Sequence, residues 1–189
     1  MSKCIVLVGI KHSGKTTKGI QLAKQLNVPF FDIDDIIEQH AGKMCRELFL
    51  QEGFEAFQKA ELEATKYIIE EQKKIIVTDS VKAVISTGGG ICENKVALEL
   101  LSAISIIVNI DISFDTAFDR IVEKSQKMGS FPPMLGIMNV TPLEEIKKNF
   151  EKQYNERTQK YLKLANISIL TDNLTKEQVC NKIIEEINS

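Results

Sequence analysis

A three-layer α/β fold, with a central parallel sheet flanked by helices, is predicted by three features of the chain. Short β-branched runs recur between segments of helical period. A glycine-rich turn joins the first such run to the first helical segment. The 189 residues, with 43% hydrophobic and 26% charged side chains, suit a single domain over 1–189 that can bury a core of ordinary size.

Taken in order, Cys4–Val8 is short and apolar, as a strand covered on both faces should be. Lys15–Leu26 places Ile20, Leu22, Ala23 and Leu26 at helical spacing. Pro29-Phe30-Phe31 reads as a short strand, Ile33–His40 as a helix and Arg46–Gln72 as a long helix. Ile75–Val77, Val84–Ser86, Ile104–Ile110 and Ile167–Leu170 are further strands. The helices among and after them are Lys95–Ser102, Ser113–Lys124, Pro142–Lys163 and Thr175–Asn188, the last opened by the capping box Thr175-Lys176-Glu177-Gln178. Strands alternating with helices make the sheet parallel. Between two long helices, Gly129-Ser130-Phe131-Pro132-Pro133-Met134-Leu135-Gly136 concentrates helix breakers, and a lid segment is expected over about 125–140.

A formal net charge of -2 without a dense basic cluster excludes nucleic acid as an expected partner. Met1 leads into polar residues and a strand, and no apolar run approaches membrane-spanning length, so a cytoplasmic protein that does not engage a membrane is expected. Cys4, Cys45, Cys92 and Cys180 are far apart and only two histidines are present, so the cysteines read as reduced, mostly buried thiols rather than zinc ligands or disulfide partners. A monomer acting on a small molecule is expected.

Gly9-Ile10-Lys11-His12-Ser13-Gly14-Lys15-Thr16 matches G-x-x-x-x-G-K-[ST] in full, between strand and helix as the motif requires. The glycines let backbone N–H groups turn around phosphate oxygens, and the helix N-terminus adds its positive dipole. Lys15 carries a mobile charge toward the β- and γ-phosphates, and the Thr16 hydroxyl is a ligand for Mg²⁺. The loop from Gly9 to Thr17, Ser13 and Gly14 included, is therefore the expected nucleotide site, with ATP and Mg²⁺ its expected occupants. Lys11 and His12 hold its variable positions and are expected to be solvated.

Two further clusters carry chemistry. Asp32-Ile33-Asp34-Asp35 follows the short second strand; in extended backbone Asp32 and Asp34 share a face at the carboxyl end of the sheet, one able to support a metal and the other to deprotonate a hydroxyl. The same residues also read as the acidic first turn of a helix, and the sequence leaves both readings open. Ser86-Thr87-Gly88-Gly89-Gly90 ends a strand with three glycines, which suits a turn where backbone closely approaches a ligand, or a merely flexible loop.

The phosphate loop, Phe31-Asp32-Ile33-Asp34 with Glu38 beyond, Gly42, Gly53…Phe57…Glu61, Thr87-Gly88-Gly89-Gly90, Arg120 and Arg157…Tyr161…Ala165 fall in the order found in shikimate kinases, which the chain resembles over nearly its whole length. The resemblance implies a P-loop, nucleoside-monophosphate-kinase-like fold that moves the ATP γ-phosphate to the 3-hydroxyl of shikimate, within aromatic amino acid biosynthesis. It also implies a substrate-binding helical region over about 33–62. By the same resemblance Lys15 and Thr16 serve phosphate and Mg²⁺, Asp32 supports the metal and Asp34 is the base on the accepting hydroxyl. Gly88, Gly89 and Gly90 line the acceptor pocket, Arg120 stacks near adenine and Arg157 pairs with the substrate carboxylate.

The departures are informative. Where the family shows G-E-x-x-F-R-x-x-E this chain has Gly53-Phe54-Glu55-Ala56-Phe57-Gln58-Lys59-Ala60-Glu61, so the carboxylate-gripping arginine is Gln58. The lid's R-P-L-L becomes Pro132-Pro133-Met134-Leu135, and Ser125–Val140 holds no arginine; Lys124 and Lys127 are the nearby cations. Ile75–Thr78 ends in Asp79, which reads either as a metal-binding carboxylate or as a polar turn after a buried strand. Two alternatives therefore stand beside shikimate phosphorylation: a kinase of another hydroxylated metabolite, as gluconate kinases are, and a nucleotide-binding regulatory paralogue with weak turnover.

Overall fold

The structure, a computed structural model, describes residues 3–75, 81–132 and 134–189. Five parallel strands form one sheet in the order β2-β3-β1-β4-β5: β1 Lys3–Val8, β2 Phe30–Asp32, β3 Val81–Ser86, β4 Ser105–Asp111 and β5 Ile167–Leu170. The helices are α1 Lys15–Leu26, α2 Ile33–Ala41, α3 Cys45–Lys73, α4 Lys95–Ile104, α5 Phe114–Met128, α6 Leu143–Leu164 and α7 Lys176–Asn188, with a short 3₁₀ turn at Ile91–Glu93. Residues 76–80 of the expected strand at Ile75–Val77 and its Asp79, and Pro133 of the lid, lie outside the described residues.

Alternation along the strands builds the three layers. Cys4, Val6, Val8, Ala83 and Ile85 point to one face, where they pack with Ile37, Ile68, Ala97, Leu101, Ile121 and Phe150 from α2 to α6. Ile5, Leu7, Val84, Val108 and Ile110 point to the other, against Leu22 and Ala23 of α1 and Val179, Cys180 and Ile183 of α7. Period-2 side-chain direction thus gives each face of the sheet its own apolar cluster. The chain leaves β1 for β2 on one side of the sheet and later returns to β4 on the other. The carboxyl end of β1 is therefore a topological switch point, where open α/β sheets bind ligands.

Local chemistry explains where the elements differ from expectation. Arg46–Gln72 was expected as one helix; α3 is kinked at Gly53, whose φ of 86° and ψ of -177° fit no helical turn. Helix α5 runs to Met128 and is capped by left-handed Gly129, so Ser125–Met128 of the expected lid is helix and the loop begins at Gly129. The capping box at α7 forms both of its hydrogen bonds, Gln178 N to Thr175 Oγ1 at 3.2 Å and Thr175 N to Gln178 Oε1 at 2.8 Å. Gly9 holds φ at 142°, and a β-carbon there would sit 2.5 Å from the Ile110 carbonyl oxygen in neighbouring β4. Gly9→Ala is accordingly expected to destabilise the fold by at least about 2 kcal/mol, read as a fall in Tm; an unchanged Tm would contradict this account of the turn.

Candidate active site

At the switch point lies a cleft of about 560 Å³. Lys15 and Thr16 open α1 after left-handed Gly14, so their side chains and the free N–H groups of the first turn converge on one spot. The Lys15 ammonium is buried and donates to the carbonyl oxygens of Gly9 at 3.0 Å and Ile10 at 2.9 Å. Burial draws its pKa down to about 8, against the pull of the Asp34 and Asp32 carboxylates. Thr16 Oγ1 donates to Asp32 Oδ2 at 2.8 Å and lies 3.4 Å from Ser86 Oγ.

Asp32 and Asp34 are not two residues of one extended segment. Asp32 ends β2 and caps α2, its Oδ1 accepting from the Asp34 amide at 3.0 Å, while Asp34 sits in the first turn of α2. The capped turn directs the Asp34 carboxylate across the cleft toward Gly88, and its Oδ1 is buried without a partner among the described residues. Burial first, then the Asp32 charge, raise its pKa to about 6, with Lys15 and Lys11 opposing.

The three glycines each face a different member of the site. A β-carbon on Gly88 would meet Asp34 Oδ1 at 2.8 Å, one on Gly89 the Lys11 amide nitrogen at 2.6 Å, and one on Gly90 the Arg157 guanidinium at 3.7 Å. The turn is close-packed, so a merely flexible loop is the wrong description. Arg157, from α6, donates to the Gly89 carbonyl at 3.3 Å and lies 4.0 Å from Glu93. Gln58 borders the same cleft, yet its Nε2 donates to the Glu93 carbonyl at 2.9 Å and so ties α3 to the 3₁₀ turn. Phe49, Phe54 and Phe57 give this half an aromatic wall, with ring centroids 6.2 Å apart for Phe49 and Phe57.

Of the residues the sequence singles out, Lys11, His12, Gly14, Lys15, Thr16, Thr17, Asp34, Gln58, Gly88, Gly89, Gly90, Arg120 and Arg157 border this cleft. Gly9, Ser13 and Asp32 stand behind its surface, supporting it. Arg120, from α5, donates to the His12 carbonyl at 3.1 Å. His12 is half-buried rather than solvated, with φ at 65°; burial, then the charges of Lys11, Lys124, Lys15 and Arg120, lower its pKa to about 4. The lid segment contributes Pro132, Met134 and Leu135, while Lys124 and Lys127 line the α5 edge and Lys127 pairs with Glu123 at 2.6 Å.

Sequence reasoning assigned no role to four contributors. Lys18 is buried and donates to the Ser13 carbonyl at 2.7 Å, bracing the loop from below, although its place in an exposed-looking first turn gave no sign of this. Ser86 joins Thr16 and Asp32. Arg46 borders the acceptor half. Glu61 was noted only as part of a motif, yet an acidic residue in phase with Ala64, Thr65 and Ile68 on the buried stripe of α3 was itself a signal. Its Oε2 accepts from Asn94 Nδ2 at 3.0 Å, and its Oε1 is buried without a partner among the described residues.

Burial raises the Glu61 pKa to about 7, from a usual value near 4.5, against the hydrogen bond from Asn94. The native state therefore holds this proton where the unfolded chain has lost it, and its contribution to stability falls as pH rises from about 4.5 to 7. Glu61→Gln keeps an acceptor for Asn94 and removes the buried charge. Relative to wild type it is expected to be near neutral at pH 5 and stabilising by about 1–3 kcal/mol at pH 8. Paired melting curves at the two pH values check this, and a Tm difference independent of pH would contradict it.

The shikimate kinase family profile matches residues 11–188. The chain belongs to the shikimate kinase family. A shikimate kinase from a Sulfurihydrogenibium species is 32% identical over 185 residues, spanning 98% of both chains. That of Aquifex aeolicus is 33% identical over 149 residues, 79% of this chain and 78% of its own. Among solved structures, shikimate kinase from Acinetobacter baumannii in complex with shikimate aligns with a TM-score of 0.80 at 25% identity, covering 100% of this chain and 94% of that one. The Aquifex aeolicus enzyme aligns with a TM-score of 0.72 at 29% identity. As a member of this family the chain is a small-molecule kinase with a P-loop fold. Among the described residues no helix is long and apolar enough to cross a membrane.

Proposed function

We propose that this shikimate kinase family member transfers the γ-phosphate of ATP to the 3-hydroxyl of shikimate, with Mg²⁺ as cofactor. The observation that carries the reading is Asp34: a buried carboxylate oxygen without a partner among the described residues, aimed into the cleft between the phosphate loop and the Gly88–Gly90 turn. A pure nucleotide binder has no use for such a group, nor for Arg157 across from it, which weighs against the regulatory alternative. The full-length relatives favour shikimate over a gluconate-type acceptor.

In the mechanism, Asp34 accepts the proton of the substrate hydroxyl as its oxygen forms a bond to the γ-phosphorus. The bond from that phosphorus to the bridging oxygen breaks, and ADP leaves. A carboxylate whose pKa is lifted to about 6 remains ionised at neutral pH and is a better proton acceptor than an ordinary aspartate. Lys15 and the α1 N-terminus hold charge on the transferring phosphoryl group. The unpartnered Glu61 Oε1 is placed to accept from a second hydroxyl of the acceptor, and Arg157 to pair with its carboxylate.

The donor set fits magnesium. Thr16 Oγ1 and, behind it, Asp32 are hard oxygen ligands already joined at 2.8 Å. No cluster of three or more acidic, histidine or cysteine side chains among the described residues could hold a metal alone. One or two protein oxygens completed by phosphates and waters is the usual arrangement for this ion. Thr16 and Asp32 would hold Mg²⁺ at the phosphate loop, where it would supply neutralisation of phosphate charge. The test is product identity: incubation with ATP, Mg²⁺ and shikimate is expected to give ADP and a single phosphomonoester on the 3-oxygen by phosphorus NMR. A different regiochemistry, or no ester, would overturn the assignment.

A further inference from the structure

Resting on shikimate as the acceptor, we propose that Lys11, not residue 58, supplies the second cation that with Arg157 grips the acceptor carboxylate. Gln58 is neutral and already engaged, its amide tied to the Glu93 carbonyl at 2.9 Å. Arg157 is held from behind by the Gly89 carbonyl and Glu93 and faces the cleft from one side. Lys11 borders the same cleft. Its backbone packs against Gly89, where even a methyl group would sit 2.6 Å from the Lys11 nitrogen and 3.0 Å from the Lys11 β-carbon, so the side chain starts out beside the glycine turn whose Gly89 carbonyl holds Arg157.

Lys15 is buried with its ammonium on the Gly9 and Ile10 carbonyls, whereas the Lys11 ammonium has no hydrogen-bond partner among the described residues. The side chain is exposed at the cleft, where its ammonium feels the Asp34 carboxylate and the Arg46 and Arg157 guanidiniums of the acceptor half as well as Lys15 and His12 of the phosphate loop. Among the described residues Lys11 makes no ion pair, whereas Lys160 and Lys127 in the neighbouring helices are each paired with a glutamate. An unpaired ammonium and the Arg157 guanidinium on one cleft form a carboxylate site by charge. The departure at position 58 is thereby compensated from the loop that also holds the nucleotide.

The experiment measures KM for shikimate and for ATP, with Tm, in wild type, Lys11→Met, Arg46→Ala and the double variant Lys11→Met with Gln58→Arg. Lys11→Gln stands in if Lys11→Met does not fold. Lys11→Met is expected to raise KM for shikimate roughly tenfold or more, the difference between a charge-assisted and an absent contact. KM for ATP and Tm should stay close to wild type, and the double variant should recover most of the loss. With shikimate methyl ester, which has no carboxylate charge, wild type and Lys11→Met should perform alike. An unchanged KM for shikimate in Lys11→Met, a change confined to ATP, an equal effect on the ester, or a loss seen only in Arg46→Ala would each overturn the proposal. Failure of wild type itself to phosphorylate shikimate would instead overturn the assignment of the acceptor.

Discussion

Lys15→Ala is expected to lower kcat by on the order of 10³ or more, the scale seen when a cation on the transferring phosphoryl group is lost. The lysine is buried at the mouth of α1 and its ammonium already sits on the loop carbonyls of Gly9 and Ile10, so it needs little rearrangement to meet phosphate oxygens. Charge on those oxygens shifts as the phosphoryl group moves, so the loss should fall on kcat as well as on ATP affinity. Removing the ammonium also leaves two loop carbonyls without a donor, and Tm must be measured alongside. Titration calorimetry and steady-state kinetics together decide the matter: unchanged ATP affinity with unchanged turnover would contradict the role assigned to Lys15.

Asp34→Asn is expected to lower kcat by about 10²–10⁴ with nucleotide affinity nearly intact. The amide keeps the shape of the carboxylate and its hydrogen-bonding reach but is a far weaker base. Because the base must be ionised, wild-type kcat/KM should fall as pH drops through about 6, where burial and Asp32 place the Asp34 pKa, and that limb should vanish from the residual activity of the variant. A variant that keeps most of the wild-type rate would show that another group takes the proton.

The sheet and most helices were legible because their signals are local. Strand alternation, helical period and the Thr175 capping box each act over a few residues. The phosphate loop was legible for the same reason, its spacing being a physical requirement of one turn. What was not legible depends on contacts distant in sequence. Gln58 bonds to a carbonyl in the turn after the third strand, 35 residues away, and the Lys11 backbone packs against Gly89. The acidic pair shows the limit well: alternation in an extended strand placed Asp32 and Asp34 side by side, whereas the Asp32 cap starts a helix between them and sends only Asp34 into the cleft. His12 likewise was expected in solvent because a loop position gives no hint of Arg120 folding over its carbonyl.

The most direct measurement is a comparison of kcat/KM for ADP release across a panel of hydroxylated acids that includes shikimate and gluconate, with ATP and Mg²⁺ saturating. Asp34, Arg157 and Lys11 around one aromatic-walled pocket predict that shikimate gives the highest value by a wide margin and that its turnover is lost in Asp34→Asn. Turnover of gluconate above shikimate, or ADP release independent of any acceptor, would contradict the account.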